Sequence, residues 1–317
     1  MVDLIGKRYW FFGLSILIIL AGVVGFIAHG GFNLDIQFEG GAIVSLQMED
    51  NKFDTNKAAD VVSKAINKKV TAQKSEIPDA KGKGSIYMLV LNVAEKTQNL
   101  SSAEVSNALT AIKKDSDFKV KKDTQPEIRN VSAFIGKELM SNAMVAAFIV
   151  CVLIILYLWF RFRTMSGPSA GVMGILALLH DALIMLSVYT IFNISLNESF
   201  IAAILTILGY SMSDTIIIYD RIRENTSLLR KVPIAELVNR SILQTLNRSI
   251  NTVVTVLISI LTIFCFACYY NIESVRVFTF PLLIGIASGC YSSIFIASPL
   301  WVMWKEYKAK QPTVSKA

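Results

Sequence analysis

One carboxylate stands inside a run otherwise fit to cross a lipid bilayer: Asp214, within GYSMSDTIIIYDRIREN, Gly209 to Asn225. No other charged side chain occurs between Ile201 and Tyr219. An ionised aspartate at mid-bilayer costs about 2.5 to 3.5 kcal/mol on insertion scales, so it needs a buried partner, a water-filled path or a proton that comes and goes. Reversible protonation is the chemistry that this placement offers. A second signal lies on the next apolar stretch, where Ser241, Thr245, Arg248, Thr252, Thr255, Ser259 and Thr262 recur at steps of 4, 3, 4, 3, 4 and 3. That period draws one polar stripe along a helix. Such a stripe is poorly suited to lipid and is expected to face the bundle interior or a wet groove.

Asp214 and Arg248 are therefore the candidate proton pathway, at roughly matching depths if the two helices are neighbours. The charge of the arginine favours the ionised acid and withdrawal from water the neutral one, an opposition suited to loading and releasing a proton. Tyr210 and Ser213 flank the acid, and Thr245, Asn251, Thr252 and Thr255 accompany the arginine as candidate supporting positions. His180 and Asp181 interrupt another apolar stretch. Being adjacent, they are expected to point in different directions on a helix and not to form a ready dyad.

The elements that must position these residues are membrane helices. With 53% hydrophobic and 17% charged residues, the chain is too apolar for an ordinary soluble domain. Six stretches reach the length of about 20 apolar residues that a crossing requires: Tyr9 to Ala28, Leu139 to Phe160, Pro168 to Phe192, Phe200 to Tyr219, Ile250 to Tyr270 and Val277 to Trp304. Pro233 to Leu246 reads as an amphipathic helix along the interface before the fifth span. Gly285, Gly289 and Ser293, spaced by four, mark a close-packing face on the sixth.

Basic residues cluster at alternate ends of the spans: Lys7 and Arg8, Arg161 and Arg163, Arg221 to Arg240, and Lys305 to Lys310. Such residues stay on the cytosolic side, which predicts cytosolic termini and an extracytoplasmic segment from 29 to 137. The net charge of +7 is then topogenic and calls for no nucleic acid. The first span reads as an uncleaved anchor. Residues 138–317 carry spans two to six and a cytosolic tail. All four cysteines fall in spans, and Cys265-x-x-Cys268 lacks the second ligand pair that a metal site needs, so small packing residues are expected there. No cofactor or metal is expected.

In the outer segment, strands are expected over Ile43–Met48, Val70–Ile77, Ser85–Val93 and Phe118–Ile128, with helices over Thr55–Lys69 and Ala103–Lys114. The order β-α-β-β-α-β predicts a small α+β, ferredoxin-like domain.

These stretches together resemble the SecF family, the smaller subunits of the SecD-SecF protein-export accessory complex in the RND transporter superfamily. The resemblance rests on GYSMSDTIIIYDRIREN, on SILQTLNRSINT (Ser241 to Thr252) and on LLHD (Leu178 to Asp181), in order and over nearly the full length. It departs at DIQFEGG, Asp35 to Gly41, where Gln37 stands in place of a usual Asp, and at Ser213, where Asn is common. It implies a bacterial inner-membrane subunit that works with SecD on unfolded polypeptide leaving the SecYEG channel, coupling export to proton or sodium flow. It also implies that Asp214 and Arg248 are the functional acid and arginine, with a further acid supplied by SecD. Other readings are a small-molecule RND-type exporter subunit, an intramembrane aspartyl protease using Asp181 and Asp214, and a scaffold for the partner.

Overall fold

The computed structural model describes residues 3–78, 85–94, 101–115, 117–121, 125–131, 133–162, 167–229, 231–270 and 272–310. In chain order the elements are α1 (Arg8–Ala28), α2 (Ile36–Glu39), β1 (Gly41–Met48), α3 (Thr55–Ile66), β2 (Val70–Pro78), β3 (Ser85–Ala94), α4 (Ser102–Lys114), β4 (Glu127–Val131), α5 (Ala133–Arg161), α6 (Gly167–Ile191), α7 (Glu198–Leu228), α8 (Ile234–Tyr269), α9 (Glu273–Ser292), a π-helical turn (Ser293–Ala297) and α10 (Ser298–Lys310). Among the described residues, six helical stretches are long and apolar enough to span a membrane: α1, Glu138–Arg161 of α5, Pro168–Ile191 of α6, α7, α8, and α9 continued through the π-helical turn into α10.

α9 packs against α6, α7 and α8, while α6 packs against α1 and α5. α6 and α9 are the most enclosed helices, and α1, α5 and α8 turn most of their surface outward. Small residues set the close approaches that the sequence foretold. A Cβ on Gly285 would lie 2.5 Å from Ile207 Cγ1, and one on Gly289 2.9 Å from Ser211 Cβ. Gly285→Val is therefore expected to force α9 off α7 at a cost of about 1 to 3 kcal/mol, typical of overpacking. Thermal unfolding in detergent checks this; an unchanged midpoint would mean that the contact yields freely.

Two expectations need correction here. The amphipathic segment after Pro233 is not a separate interfacial helix, because Ile234–Tyr269 is one unbroken helix of 36 residues. At 1.5 Å per residue it measures about 54 Å, far more than a hydrocarbon core of about 30 Å. Its first turns continue past the apolar zone with Leu237, Val238 and Ile242 buried against the bundle, and that burial holds the segment in line with the span. The fourth outer strand is shorter than Phe118–Ile128. Residues 118–121 run beside the end of β1 through the Met48–Val120 bridge, and β4 starts only at Glu127, beyond Pro126; part of the intervening stretch lies outside the described residues.

The segment between α1 and α5 forms an antiparallel sheet in the order β2-β3-β1-β4. Ala42, Val44, Leu46 and Met48 alternate inward along β1 beside Leu89, Leu91 and Val93 of β3, and Ala58 and Val62 of α3 with Val105, Ala108 and Ile112 of α4 cover that face. Both helices are capped at their first turns. The Asp54 side chain accepts from the Asn56 amide, and Ser101 and Glu104 form a reciprocal capping box. Lys68 first, and the capped Ser101 amide after it, hold the Glu104 carboxyl down at about 2. α3 ends at Ile66, three residues short of the expected end, because Asn67 adopts a left-handed conformation (φ 52°).

Candidate functional site: two buried acids in one helix bundle

Asp181 and Asp214 are both buried, with relative exposures of 1% and 3%, yet their surroundings are opposite. Asp181, on α6, is saturated. Ser211 of α7 and Ser292 of α9 donate to Oδ2 at 2.7 and 2.8 Å, and Ser288 of α9 donates to Oδ1 at 2.7 Å. One acid thereby ties three helices. The seryl positions follow from spacing: Ser288 and Ser292 are one turn apart on α9 and so reach the same carboxylate. The π-helical turn adds Ser293, whose hydroxyl lies 2.8 Å from Thr215 Oγ1 and also meets the Ser211 carbonyl at 3.2 Å.

His180 does meet its neighbour, contrary to the expectation from adjacency. Its Nδ1 lies 3.3 Å from Asp181 Oδ1 and its Nε2 2.9 Å from Ser15 Oγ on α1. Adjacent residues diverge by about 100° around a helix, but an imidazole is long enough to fold back toward a carboxylate fixed by three serines.

Asp214, on α7, has nothing comparable. Its Oδ2 is buried without a hydrogen-bond partner, as are Tyr210 Oη one turn earlier and Ser249 Oγ on α8. Tyr210 and Cys290 of α9 lie within electrostatic reach of it. Arg248 is exposed and forms no ion pair among the described residues. The expected Asp214–Arg248 pair is thus not formed within this chain.

The polar stripe divides at the same point. Ser241 and Thr245 are buried, whereas Arg248, Thr252, Thr255, Ser259 and Thr262 are exposed. Thr252, Thr255, Ser259 and Thr262 each satisfy their hydroxyls on the carbonyl four residues back. The stripe does not line the interior as expected; α6 and α9 with their serines occupy it, and α8 lies at the margin with its polar face outward. Asn251 and Ser213 are exposed as well, and so are Cys265 and Cys268.

Two further positions had little sequence signal. Asn225, 2% exposed at the end of the DRIREN segment, donates to Ser241 Oγ and Gln244 Oε1, both at 2.8 Å, and so staples α7 to α8. Gln37, the departure in DIQFEGG, exchanges two hydrogen bonds of 3.3 Å with Glu198 at the start of α7: its Nε2 donates to Oε1, and the Glu198 amide donates to its Oε1. An aspartate there would set two carboxylates against each other. Asp35 caps α2 and accepts from the Gln37 amide; burial pushes its carboxyl up, and the Gln37 and Ile36 amides oppose this. Gly40 and Gly41 that follow have φ of 82° and 142°, which side chains with a Cβ rarely adopt.

The profile of the family described as protein export membrane protein SecD/SecF, C-terminal, matches residues 111–307. The protein translocase subunit SecF of Alicyclobacillus acidocaldarius is 36% identical over 330 residues, covering 98% of this chain and 95% of the relative. That of Petrotoga mobilis is 32% identical with 98% of each chain covered, and the SecDF subunit of Bacillus subtilis is 33% identical over 98% of this chain and 39% of its own length. The crystal structure of SecDF from Thermus thermophilus superposes with a TM-score of 0.73 at 30% identity, covering 96% of this chain and 39% of that longer one. With nearly end-to-end identity to SecF subunits and a backbone matching one part of SecDF, the chain belongs to the SecF branch of the SecD/SecF family of protein-export membrane proteins.

Proposed function

We propose that this chain is an accessory subunit of the Sec translocase that, together with a SecD partner, couples proton or sodium flow to the late stage of polypeptide export across the bacterial inner membrane. The observation that carries the reading is the outward face of α8. α1 and α5 expose apolar side chains such as Leu17, Val24, Phe148 and Leu153, fit for lipid, but α8 exposes Arg248 and a line of hydroxyls beside apolar side chains such as Ile258 and Leu261. An arginine facing acyl chains costs about 2.5 to 3.5 kcal/mol. A partner bundle carrying an acid opposite Arg248 removes that cost, and SecD supplies it, since related chains join both parts in one SecDF polypeptide. The bare Asp214 oxygen then lies near a hydrated seam between the two halves and takes up and releases the coupling ion.

Both termini face the cytosol, and the outer domain, read as ferredoxin-like from its strand order with two helices on one face, acts on the emerging polypeptide supplied by SecYEG. One charge crossing 100 mV releases about 2.3 kcal/mol, enough to bias a domain movement and too little to unfold a domain. The protease reading is disfavoured because both oxygens of Asp181 are already engaged by serine hydroxyls. A single small outer domain offers little substrate pocket for a small-molecule exporter.

The test is co-reconstitution of the chain with SecD and the Sec channel in vesicles, with export measured with and without an imposed ion gradient. Arg248→Gln is expected to leave the isolated chain as stable as the parent, because its side chain makes no ion pair among the described residues, and to reduce gradient-dependent export at least about tenfold, the size of losing one charge-assisted contact. Export by Arg248→Gln equal to the parent would remove the basis of the reading.

A further inference from the structure

A hydrogen-bonded chain runs from the saturated acid across two helix interfaces, and its hydrogens can be counted. Tyr291 of α9 donates its one hydroxyl hydrogen to the Phe11 carbonyl of α1 at 2.7 Å. Its oxygen, 3.2 Å from Ser15 Oγ, must then accept from Ser15. Ser15 has a single hydrogen and has given it to Tyr291. In its 2.9 Å contact with His180 Nε2 it can only accept, so Nε2 carries a proton. A neutral imidazole protonated at Nε2 presents a bare lone pair at Nδ1, and Nδ1 faces Asp181 Oδ1 at 3.3 Å. Two lone pairs do not share such a contact. A further proton must lie between them, on Nδ1 or on the carboxyl.

We propose that His180 and Asp181 form a proton-holding site inside the bundle, and that discharging it releases one of the two hydrogen bonds by which Tyr291 joins α9 to α1. When the pair loses one proton to water, the proton at Nδ1 remains to bridge Oδ1 of the ionised acid, and Nε2 becomes an acceptor. Ser15 turns its hydrogen from Tyr291 to Nε2. Tyr291 then faces Ser15 without a donor between them, or swings its own hydrogen from the Phe11 carbonyl to Ser15; either way one α1–α9 hydrogen bond is lost. α1 leads directly into the outer domain through Asn33–Asp35, so its grip on α9 is a mechanical lever on that domain. That this discharge accompanies export rests on the function proposed above; the proton count does not.

The surroundings leave the pair to itself. α1 brings only Ser15 to it, α9 brings Ser288, Ser292 and Tyr291, and α7 brings Ser211, with Asp214 one turn further along. Cys290 neighbours Tyr291, Cys151 is the ionisable group in the middle of α5, and the charged residues of α5 and α10 lie toward their ends. Ser15, His180 and Asp181 are 4%, 8% and 1% exposed, so bulk water does not blur the count.

The chain has two histidines, His29 and His180, which makes the test direct. Solid-state NMR of the full chain labelled with ¹⁵N-histidine in liposomes reports which ring nitrogen is protonated, and His29→Gln assigns the remaining signal. At neutral pH the His180 signal is expected to show a protonated Nε2. Raising the pH is expected to replace it by the opposite tautomer, with Nδ1 protonated and Nε2 bare. Tyr291→Phe keeps the ring stacked on His180 but frees the Ser15 hydrogen, so at a pH where the parent is protonated at Nε2 this variant is expected to hold about five- to tenfold more of the Nδ1 tautomer, what one neutral hydrogen bond is worth. A bare Nε2 at neutral pH, a tautomer that never changes on raising the pH, or equal populations in parent and Tyr291→Phe would each overturn the proposal. Should Tyr291→Phe fold poorly, Ser15→Ala is read in the same way, because it removes the acceptor that fixes the Nε2 proton. No partner or gradient enters the measurement, so its failure leaves the export reading standing, and the converse holds as well.

Discussion

Asp214→Asn is expected to fold like the parent and to lose gradient-driven export, by at least about tenfold in vesicles containing SecD and the Sec channel. The two halves of that expectation come from one atom. Asp214 Oδ2 is buried with no hydrogen-bond partner, so converting it to an amide breaks no bond that the fold uses. Nearly isosteric and neutral, Asn even removes the cost of holding a charge at this depth. What it removes entirely is the ability to take up and release an ion. Export supported by energy sources other than the gradient is expected to persist in Asp214→Asn. Imposing proton and sodium gradients separately identifies which ion is lost. Undiminished gradient-driven export would show that this acid is not the coupling group.

The opposite outcome is expected at the other acid. Asp181→Ala removes the acceptor for Ser211, Ser288 and Ser292 and the partner of His180. Three buried hydroxyls, each within 2.8 Å of a carboxylate oxygen in the parent, are left to find weaker acceptors. Hydrogen bonds to a charged group contribute about 1.5 to 3 kcal/mol each, and a buried donor without an acceptor costs about 1 to 3 kcal/mol. A total loss of about 3 kcal/mol or more is expected, seen as a fall in the thermal midpoint and in the monodisperse fraction in detergent. Asp181→Asn retains one acceptor oxygen and is expected to fall between Asp181→Ala and the parent. A stability for Asp181→Ala equal to that of Asp214→Asn would mean that the serine cluster is replaceable packing. The pair of variants thus separates the acid that holds the bundle from the acid that the proposed function uses.

Asp214 was recognisable from residue type alone, since a charge inside an apolar run is rare enough to need no fold to single it out, and Arg248 from its place in the polar stripe. The glycines on α9 and the first three strands between α1 and α5 were likewise legible, because each depends on neighbours within a few residues. The fourth strand was not: what pairs residues 118–121 and 127–131 with β1 is a contact across about 80 positions of chain. Nor did Asp181 announce itself as the structural hub, for Ser15, Ser211, Ser288 and Ser292 are ordinary in sequence and acquire meaning only when four helices meet.

The sequence by itself determined that the chain holds six apolar helices with an α+β segment between the first two, and it singled out Asp214 and Arg248 as candidates. Those features follow from hydropathy and period, which are local and additive. Only the tertiary structure decided which way each polar face turns: that Asp214 is enclosed with an empty oxygen, that Arg248 and its hydroxyls look away from the chain, and that His180 folds back onto Asp181. Periodicity defines a stripe relative to its own helix axis and carries no information on how that helix is rotated about it. The rotation is set by contacts between helices, through small residues such as Gly285 and Gly289 against α7.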